Sequence, residues 1–547
     1  MCRKLILSFF ILLFLTDAAE ATQFAYRVNF TDKNGTLTFS DSLTFLSPRA
    51  MARRNNFGIA LDSTDLPVTR AYVDSVLVLT GGKFHAVSKW FNFCVILVND
   101  STQIHALSGK TFISSVQLVG YYTGTLHKWA HQKTNDLQAK TTSGAAYYGL
   151  TWPQTSIVNG NYLHDLGYKG QGKIIAVVDG GYIATNTHRG FDSMRTSGRL
   201  VDAHNFTNDT SWVFDYDNHG TEVLSTMAGY VPDTFVGSAP LASYALYVTE
   251  DAGEQPIELL NLVSGAERAD SLGADVISSS LGYNTFDDPI YDYVFATDFD
   301  GKTTVVAKAA NLATKKGILF VTSAGNEGNN SWQKILTPGD ADSALTIGSV
   351  DVSGVNPTNS GYGPNAAGHI KPDVCGMGQN AAVFNSTDFS STSGTSLSTP
   401  EIAGFATCLW QASPHSTPGQ IRQAIRQCAS RYTTPGNQIG YGIPNFQCAA
   451  QALNIVDTPT PGNGALLTLT PNPTSSDIVV TLRLQVSGVV DFRIVDATGR
   501  TVSSFSDHFL QGLNSPVAYN ISKVPAGMYL LQVNSGAQQQ VIKFVKN

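Results

Sequence analysis

The chain is 547 residues long, room for two to four domains, with only 14% charged residues and a formal net charge of -7. The charged fraction is well under that of an average protein, and Gly, Ser, Thr and Asn fill the balance. Without a basic block the chain offers nucleic acid no electrostatic footprint.

Taken in order, Met1-Cys2-Arg3-Lys4, the apolar run Leu5 to Leu15 and Ala19-Glu20-Ala21 read as a signal peptide over 1–21, cut after Ala21. The run is too short for a membrane span, and no later segment is apolar enough to replace it. Cys2 leaves with that segment. The remaining Cys94, Cys375, Cys408, Cys428 and Cys448 are too sparse and odd in number for a disulfide framework. Cys428 with Cys448 is a candidate pair, and Cys408, on an apolar helix face, reads as a small buried hydrophobe.

Residues 22–140 read as a small α+β unit. Pro48 to Arg54 is helix-like, and Val76-Leu77-Val78-Leu79 and Phe93 to Val98 are strand-like. The polar stretch His127 to Ser143 looks open to proteolysis.

From 145 to 452 the pattern changes. Buried-looking strands at Ile174–Val178, Tyr244–Val248, Asp275–Ser278 and Ile318–Val321 alternate with helical stretches at Glu258–Leu272 and Thr303–Lys316. This alternation predicts an α/β fold, a parallel sheet with helices on both faces, whose ligands bind beyond the carboxyl ends of the strands. Asp457 to Gly464 is a linker by composition, closing a 453–464 connection. From 465 to 547, strand-like runs at Ile478–Leu484, Phe492–Val495, Met528–Val533 and Val541–Val545, parted by turn signals, predict a small β-sandwich.

Four positions stand at predicted element ends that face one crevice. Asp179 closes the first strand, before Gly180-Gly181. His219, in Asn218-His219-Gly220-Thr221, opens a helix that stops at Gly229. Asn326 follows Ser323-Ala324-Gly325, and Ser396 sits in Ser393-Gly394-Thr395-Ser396, heading an apolar helix through Leu397, Ile402, Phe405 and Leu409. Each alone has a bland reading as a turn or a cap. A serine at a helix start, however, gains help from the dipole for an oxyanion it creates, and Pro400 is tolerable within about the first turn.

In this order the four resemble the subtilisin-like serine proteases, the subtilases, and the resemblance covers 145–452. It implies a subtilisin-like fold and a secreted serine endopeptidase. Ser396 would be the nucleophile, His219 the base, Asp179 the residue that orients the base, and Asn326 the oxyanion donor. Ser280, Leu281 and Gly282, in Ser279-Ser280-Leu281-Gly282, resemble the edge that pairs with substrate. The family usually follows its aspartate with Ser or Thr; here Gly180 stands there, so orientation of Asp179 must come from elsewhere, with the backbone N–H groups that the glycines expose as a candidate source.

By the same resemblance, 22–140 occupies the place of a propeptide that assists folding and blocks the cleft of a zymogen. Pro471-Asn472-Pro473-Thr474, Asp496 to Arg500, Gly512-Leu513-Asn514, Pro525 to Tyr529 and the final Lys543-Phe544-Val545-Lys546 resemble the sorting domain of the type IX secretion system of Bacteroidetes. The expected partners are therefore protein or peptide substrates, the chain's own propeptide and that export machinery, with the mature chain secreted or held at the cell surface.

No cofactor is required by such chemistry. Asp287, Asp288, Asp292, Asp298 and Asp300 could hold a structural calcium, though a solvated acidic face is the plainer reading. Two alternatives stand beside the protease. A nucleophile-elbow esterase would need a glycine two residues after Ser396 and partners that follow it, and the chain has neither. A surface adhesin on a retired protease scaffold would have no reason to keep all four groups.

Overall fold

The computed structural model describes residues 23–122, 135–136, 146–251 and 253–455, and 466–547 apart from 471, 485–487, 510–511, 514–516 and 536–537. The signal segment, the linker at 457–464 and nearly all of His127 to Ser143 lie outside the described residues.

The N-terminal unit is an antiparallel sheet of β1 (Gln23–Phe30), β2 (Lys83–Ser88), β3 (Phe93–Val98) and β4 (Ile113–Tyr122), in the order β2-β3-β1-β4. It carries α1 (Pro48–Phe57) and α2 (Arg70–Thr80). The strand expected at Val76–Leu79 is instead the last turns of α2. Val73, Val76 and Leu77 recur at helical spacing and pack on the sheet, while Val78 is 83% exposed. The central strand β3 is buried along its length because both its faces are covered. Cys94, Ile96 and Val98 meet α2, and Phe93, Val95 and Leu97 meet Ile257 and Leu260 of the next domain.

That domain is built on seven parallel strands: β5 (Ile174–Asp179), β6 (Leu200–Asn205), β7 (Ser243–Val248), β8 (Val276–Ser279), β9 (Leu319–Ser323), β10 (Leu345–Val350) and β11 (Val374–Met377), in the order β11-β10-β9-β8-β5-β7-β6. Successive side chains go to opposite faces. Ile175, Val177, Leu319 and Val321 join the core under α3 (His219–Ala228) and the long α6 (Thr395–Ala412), whose Ile402, Phe405 and Leu409 pack there. Ala176, Val178, Ile277 and Phe320 join the core under α4 (Pro256–Leu272) and α5 (Val305–Lys315). Cys428 and Cys448 are disulfide-bonded, and Cys94, Cys375 and Cys408 are free and buried.

The C-terminal unit stacks two antiparallel sheets around Val480, Leu482, Phe492, Ile494, Leu531 and Phe544. Three of its strands, at Leu466–Thr470, Thr501–Phe509 and Val517–Asn520, had no distinct sequence signal.

A buried charge network joins the first two units. Arg53 donates to Asp270 Oδ1 at 2.5 Å, and Arg54 reaches Asp65 Oδ1 at 2.6 Å and Asp270 Oδ2 at 2.9 Å. Glu267 accepts from Ser88 Oγ and from the Lys89 and Trp90 N–H groups. Nearer the carboxyl ends of the parallel strands, Gln255 pairs with the backbone of Tyr121 in both directions, at 2.7 and 2.8 Å.

Candidate active site

Strand order already places the groups. Asp179 ends β5, Ser280 to Gly282 continue β8, Asn326 lies just beyond β9, and all three border one crevice that α6 enters from its N-terminus. Together with His219 and Ser396 they line a cavity of about 570 Å³.

Asp179 is fully buried, and its Oδ1 accepts from His219 Nδ1 at 2.7 Å and from the Gly180 N–H at 2.8 Å. The N–H of Gly180 thus helps to orient the carboxylate where no hydroxyl follows Asp179. Glycine is required on both sides of this contact. A Cβ on Gly220 would lie 2.3 Å from Gly181 O, one on Gly181 would lie 2.5 Å from the Asp217 N, and one on Gly180 would lie 3.1 Å from Asp217 Oδ2. The loops after β5 and before α3 cross with no space between them.

His219 opens α3, and Thr221 anchors that first turn by donating to Ile183 O at 2.6 Å. Burial works against a charged ring. The charge and hydrogen bond of Asp179, with Asp217 and Glu222 nearby, outweigh it and hold the imidazole pKa at about 9. The same closeness acts on the acids. Burial, reinforced by Asp217 and Asp179 against the pull of His219, raises Glu222 to about 7, and burial raises Asp217 as well.

Ser396 is the second residue of α6, 7% exposed, where the first N–H groups of the helix have no intrahelical acceptor. Pro400 lies in the second turn, deeper than the first-turn position expected. Having no N–H, it cannot bond Ser396 O four residues back, and that carbonyl accepts from Ser280 Oγ at 2.9 Å instead. Ser396 Oγ points to Ser280 O at 3.4 Å; among the described residues it makes no hydrogen bond to His219.

Asn326 follows Gly325, whose φ of +90° and the 2.5 Å approach of a would-be Cβ to Leu336 both demand glycine. Its Oδ1 accepts from the Thr395 N–H at 2.9 Å and from Thr395 Oγ1 at 3.1 Å. That fixes the amide with Nδ2 as its unused donor beside the N-terminus of α6.

Of the acidic stretch considered for calcium, Asp292 accepts from the Phe286 N–H, Asp288 from Ile290, Asp298 from Val294, and Asp300 from Lys302 and Thr303. These carboxylates cap turns and do not converge. Among the described residues only Asp179, Asp217 and His219 bring three potential metal donors within 4.8 Å of one another. A metal there would have to break the Asp179–His219 bond, so none is assigned.

Residues 170–442 match the profile of the Subtilase family, Peptidase S8. The chain belongs to the subtilases. This subtilase is 28% identical over 291 residues to subtilisin DY of Bacillus licheniformis, covering 52% of this chain and 93% of that protein. It is 29% identical over 298 residues to the thermostable alkaline protease of Halalkalibacterium halodurans, covering 54% and 72%. A crystal structure of the epidermin leader peptide processing serine protease of Staphylococcus aureus shares the fold, with a TM-score of 0.55 and 16% identity over 79% of this chain and all of the other.

Residues 25–137 of the subtilase match the Peptidase S8 propeptide domain of Bacteroidota, and 468–547 match a secretion system C-terminal sorting domain. The protein is a subtilisin-like serine peptidase with a propeptide and a type IX sorting domain, exported for secretion or surface attachment. None of its described helices is long and apolar enough to cross a membrane.

Sequence reasoning missed Thr395, which orients Asn326, and the acids Asp217, Glu222, Glu250, Glu254 and Glu327 that share the cavity. Their signal was available: Glu222 lies one helical turn from His219, and Glu250 and Glu254 follow the carboxyl end of the strand beside β5.

Proposed function

We propose that the chain is a serine endopeptidase, made as a zymogen, in which Ser396 is the nucleophile, His219 the general base and acid, Asp179 the group that orients and stabilises the imidazolium, and Asn326 an oxyanion donor. The observation that carries this reading is the 2.7 Å Asp179–His219 bond in the same cavity as a helix-terminal serine and an amide whose nitrogen is left unpaired. A χ1 rotation would turn Ser396 Oγ from Ser280 O toward His219; catalytic hydrogen bonds are commonly long without substrate.

The backbone of Ser280 to Gly282, beyond the end of β8, would pair with an extended substrate and carry its scissile carbonyl to Ser396. Oγ then attacks while His219 Nε2 takes the proton. The tetrahedral oxyanion is held by Asn326 Nδ2 and the Ser396 N–H, and collapse transfers the proton to the leaving amine. Water repeats the sequence on the acyl-enzyme. All reacting groups come from the chain, so this chemistry asks for no cofactor. The N-terminal unit, whose β4 reaches Gln255 at the edge of the cleft, would inhibit until removed. The working divisions are 1–21, 22–140, 145–452, 453–464 and 465–547. The adhesin alternative has no observation in its favour.

The test is intact-mass analysis after a serine-directed phosphonate, beside cleavage of a peptide blocked at both ends. Wild type should gain one adduct that Ser396→Ala lacks, and should cut the blocked peptide internally. No adduct on a folded protein would refute the nucleophile; an adduct without internal cleavage would refute the endopeptidase reading.

A further inference from the structure

Two glycines and a leucine decide how much room the reacting residue of a substrate has. β8 and β9 are paired neighbours as far as Ser279 and Thr322, and paired strands lie about 4.8 Å apart, too close for a side chain to pass between them. Beyond that pair a third segment parts their extensions. The Leu336 N–H donates to Ala324 O at 3.0 Å on the β9 side, and Tyr283 and Thr337 exchange backbone bonds of 2.9 and 3.3 Å on the β8 side. Leu336 is thereby held from both flanks, with its side chain between the two extensions. A Cβ on Gly282 would lie 2.7 Å from Leu336 Cβ, and one on Gly325 would lie 2.5 Å from Leu336 Cγ. Ser323 Oγ also donates to Leu281 O at 3.3 Å, tying the same two walls together.

A substrate paired with Ser280 to Gly282, its scissile carbonyl oxygen at Asn326 Nδ2, crosses this gap. The residue that supplies the carbonyl has its Cα over the gap, and its side chain enters the part of the cavity lined by Leu281, Gly282, Ser323, Gly325 and Leu336. That lining is apolar apart from Ser323, whose hydroxyl is spent on Leu281 O. Leu336 is 7% exposed, so it meets the cavity as a closed apolar floor.

We propose that Leu336 shuts this pocket to large side chains, and that the chain cuts after small residues, with Gly, Ala or Ser supplying the scissile carbonyl. The proposal rests on the endopeptidase reading and names its substrate class. A longer side chain needs Leu336 to move. Leu336 has nowhere to go, because the backbone at and beside it is bonded to both walls and Gly282 and Gly325 pack against its side chain.

The test measures kcat/KM on peptides blocked at both ends that differ only at that residue, as Ala, Leu, Phe or Lys; Lys is included because Glu327 shares the cavity. The enzyme is purified from the expressed full chain, and its active sites are counted with the phosphonate. Wild type should favour Ala over Phe at least about tenfold. Leu336→Ala should raise the Phe-to-Ala ratio at least about tenfold, and Leu336→Val, which disturbs the packing less, should raise it by a smaller factor. A wild type that favours Leu, Phe or Lys, or a ratio unmoved in every variant that takes the phosphonate, overturns the proposal alone. A wild type that takes the phosphonate and cuts none of the four overturns the endopeptidase reading and the proposal with it.

Discussion

Ser280 and Ser396 hold each other across the cleft: Ser280 Oγ donates to Ser396 O at 2.9 Å, and Ser396 Oγ faces Ser280 O at 3.4 Å. The first bond exists because Pro400 leaves the Ser396 carbonyl without its helical donor. Ser280→Ala would strand a buried carbonyl, at a cost of about 1–3 kcal/mol, and unseat the first turn of α6. We expect kcat to fall about tenfold and the melting temperature to drop by a few degrees. Unchanged values for both would show that water or the helix itself satisfies that carbonyl.

The Asn326 amide is aimed by Thr395, which holds its oxygen with two donors. Asn326→Leu should lower kcat about a hundred- to thousand-fold with little change in KM, a size established for this family in subtilisin and not obtained from the present geometry. Thr395→Val keeps the N–H and loses the hydroxyl, so its loss should be smaller, within about tenfold. Equal losses in the two variants would mean that Thr395 has a role beyond orientation.

Activity should be alkaline. The base works only with a neutral ring, and the ring's pKa is held at about 9, above the roughly 6.5 of a free histidine. Below that pKa the working fraction falls with each unit, so kcat/KM should climb from pH 7 to pH 10 with a midpoint near 9. Glu222→Gln removes one of the negative charges that raise it, and must move the midpoint toward acid. A wild-type midpoint between 6 and 7 would show that the surrounding carboxylates leave the ring unshifted.

Glu401 is 1% exposed in α6, accepts one N–H from Met377, and has an Oε1 with no partner; burial drives its pKa well above 4.5. In the unfolded chain it ionises near pH 4.5, whereas the folded chain retains the proton. The folded state therefore loses stability as pH rises past 4.5, by up to about 1.4 kcal/mol per unit until the folded pKa is reached. Glu401→Gln should raise the melting temperature more at pH 9 than at pH 5. A difference that does not grow with pH would place a compensating cation near the carboxylate.

Arg54, 1% exposed, is shared between Asp65 of the propeptide and Asp270 of α4. Removing one member of a buried ion cluster typically costs about 3–5 kcal/mol because the others stay desolvated. In a Ser396→Ala background, Arg54→Ala should cut amide-exchange protection of α1 and β3 about a hundredfold or more. Full protection would mean that the apolar contacts of Phe93, Val95 and Leu97 hold the propeptide unaided.

Much was legible locally. The parallel strands and the long helices announced themselves because strand and helix periods are properties of neighbours in the chain. Val76–Leu79 was misread because four apolar residues in a row fit either period until α2 meets the sheet, and one flank of Val78 turns to solvent. The bridge between Cys428 and Cys448 could be suspected from composition, but proximity alone decided it.

By itself the sequence determined the α/β pattern, the three-part organisation and the identity and order of Asp179, His219, Asn326 and Ser396, since these depend on residue type and on periodicity along the chain. Only the tertiary structure decided which groups cooperate. Asn326 and Thr395 are 69 residues apart, and Ser280 and Ser396 are 116. Asp179 at the end of β5 and Glu250 and Glu254 beyond β7 face one cavity only because those strands lie side by side. Hydrogen bonds and charges act over a few ångströms of space whatever their separation in sequence, so the orientation of the amide, the pKa of His219 and the acidic lining of the cavity appear only once the sheet has brought its strand ends together.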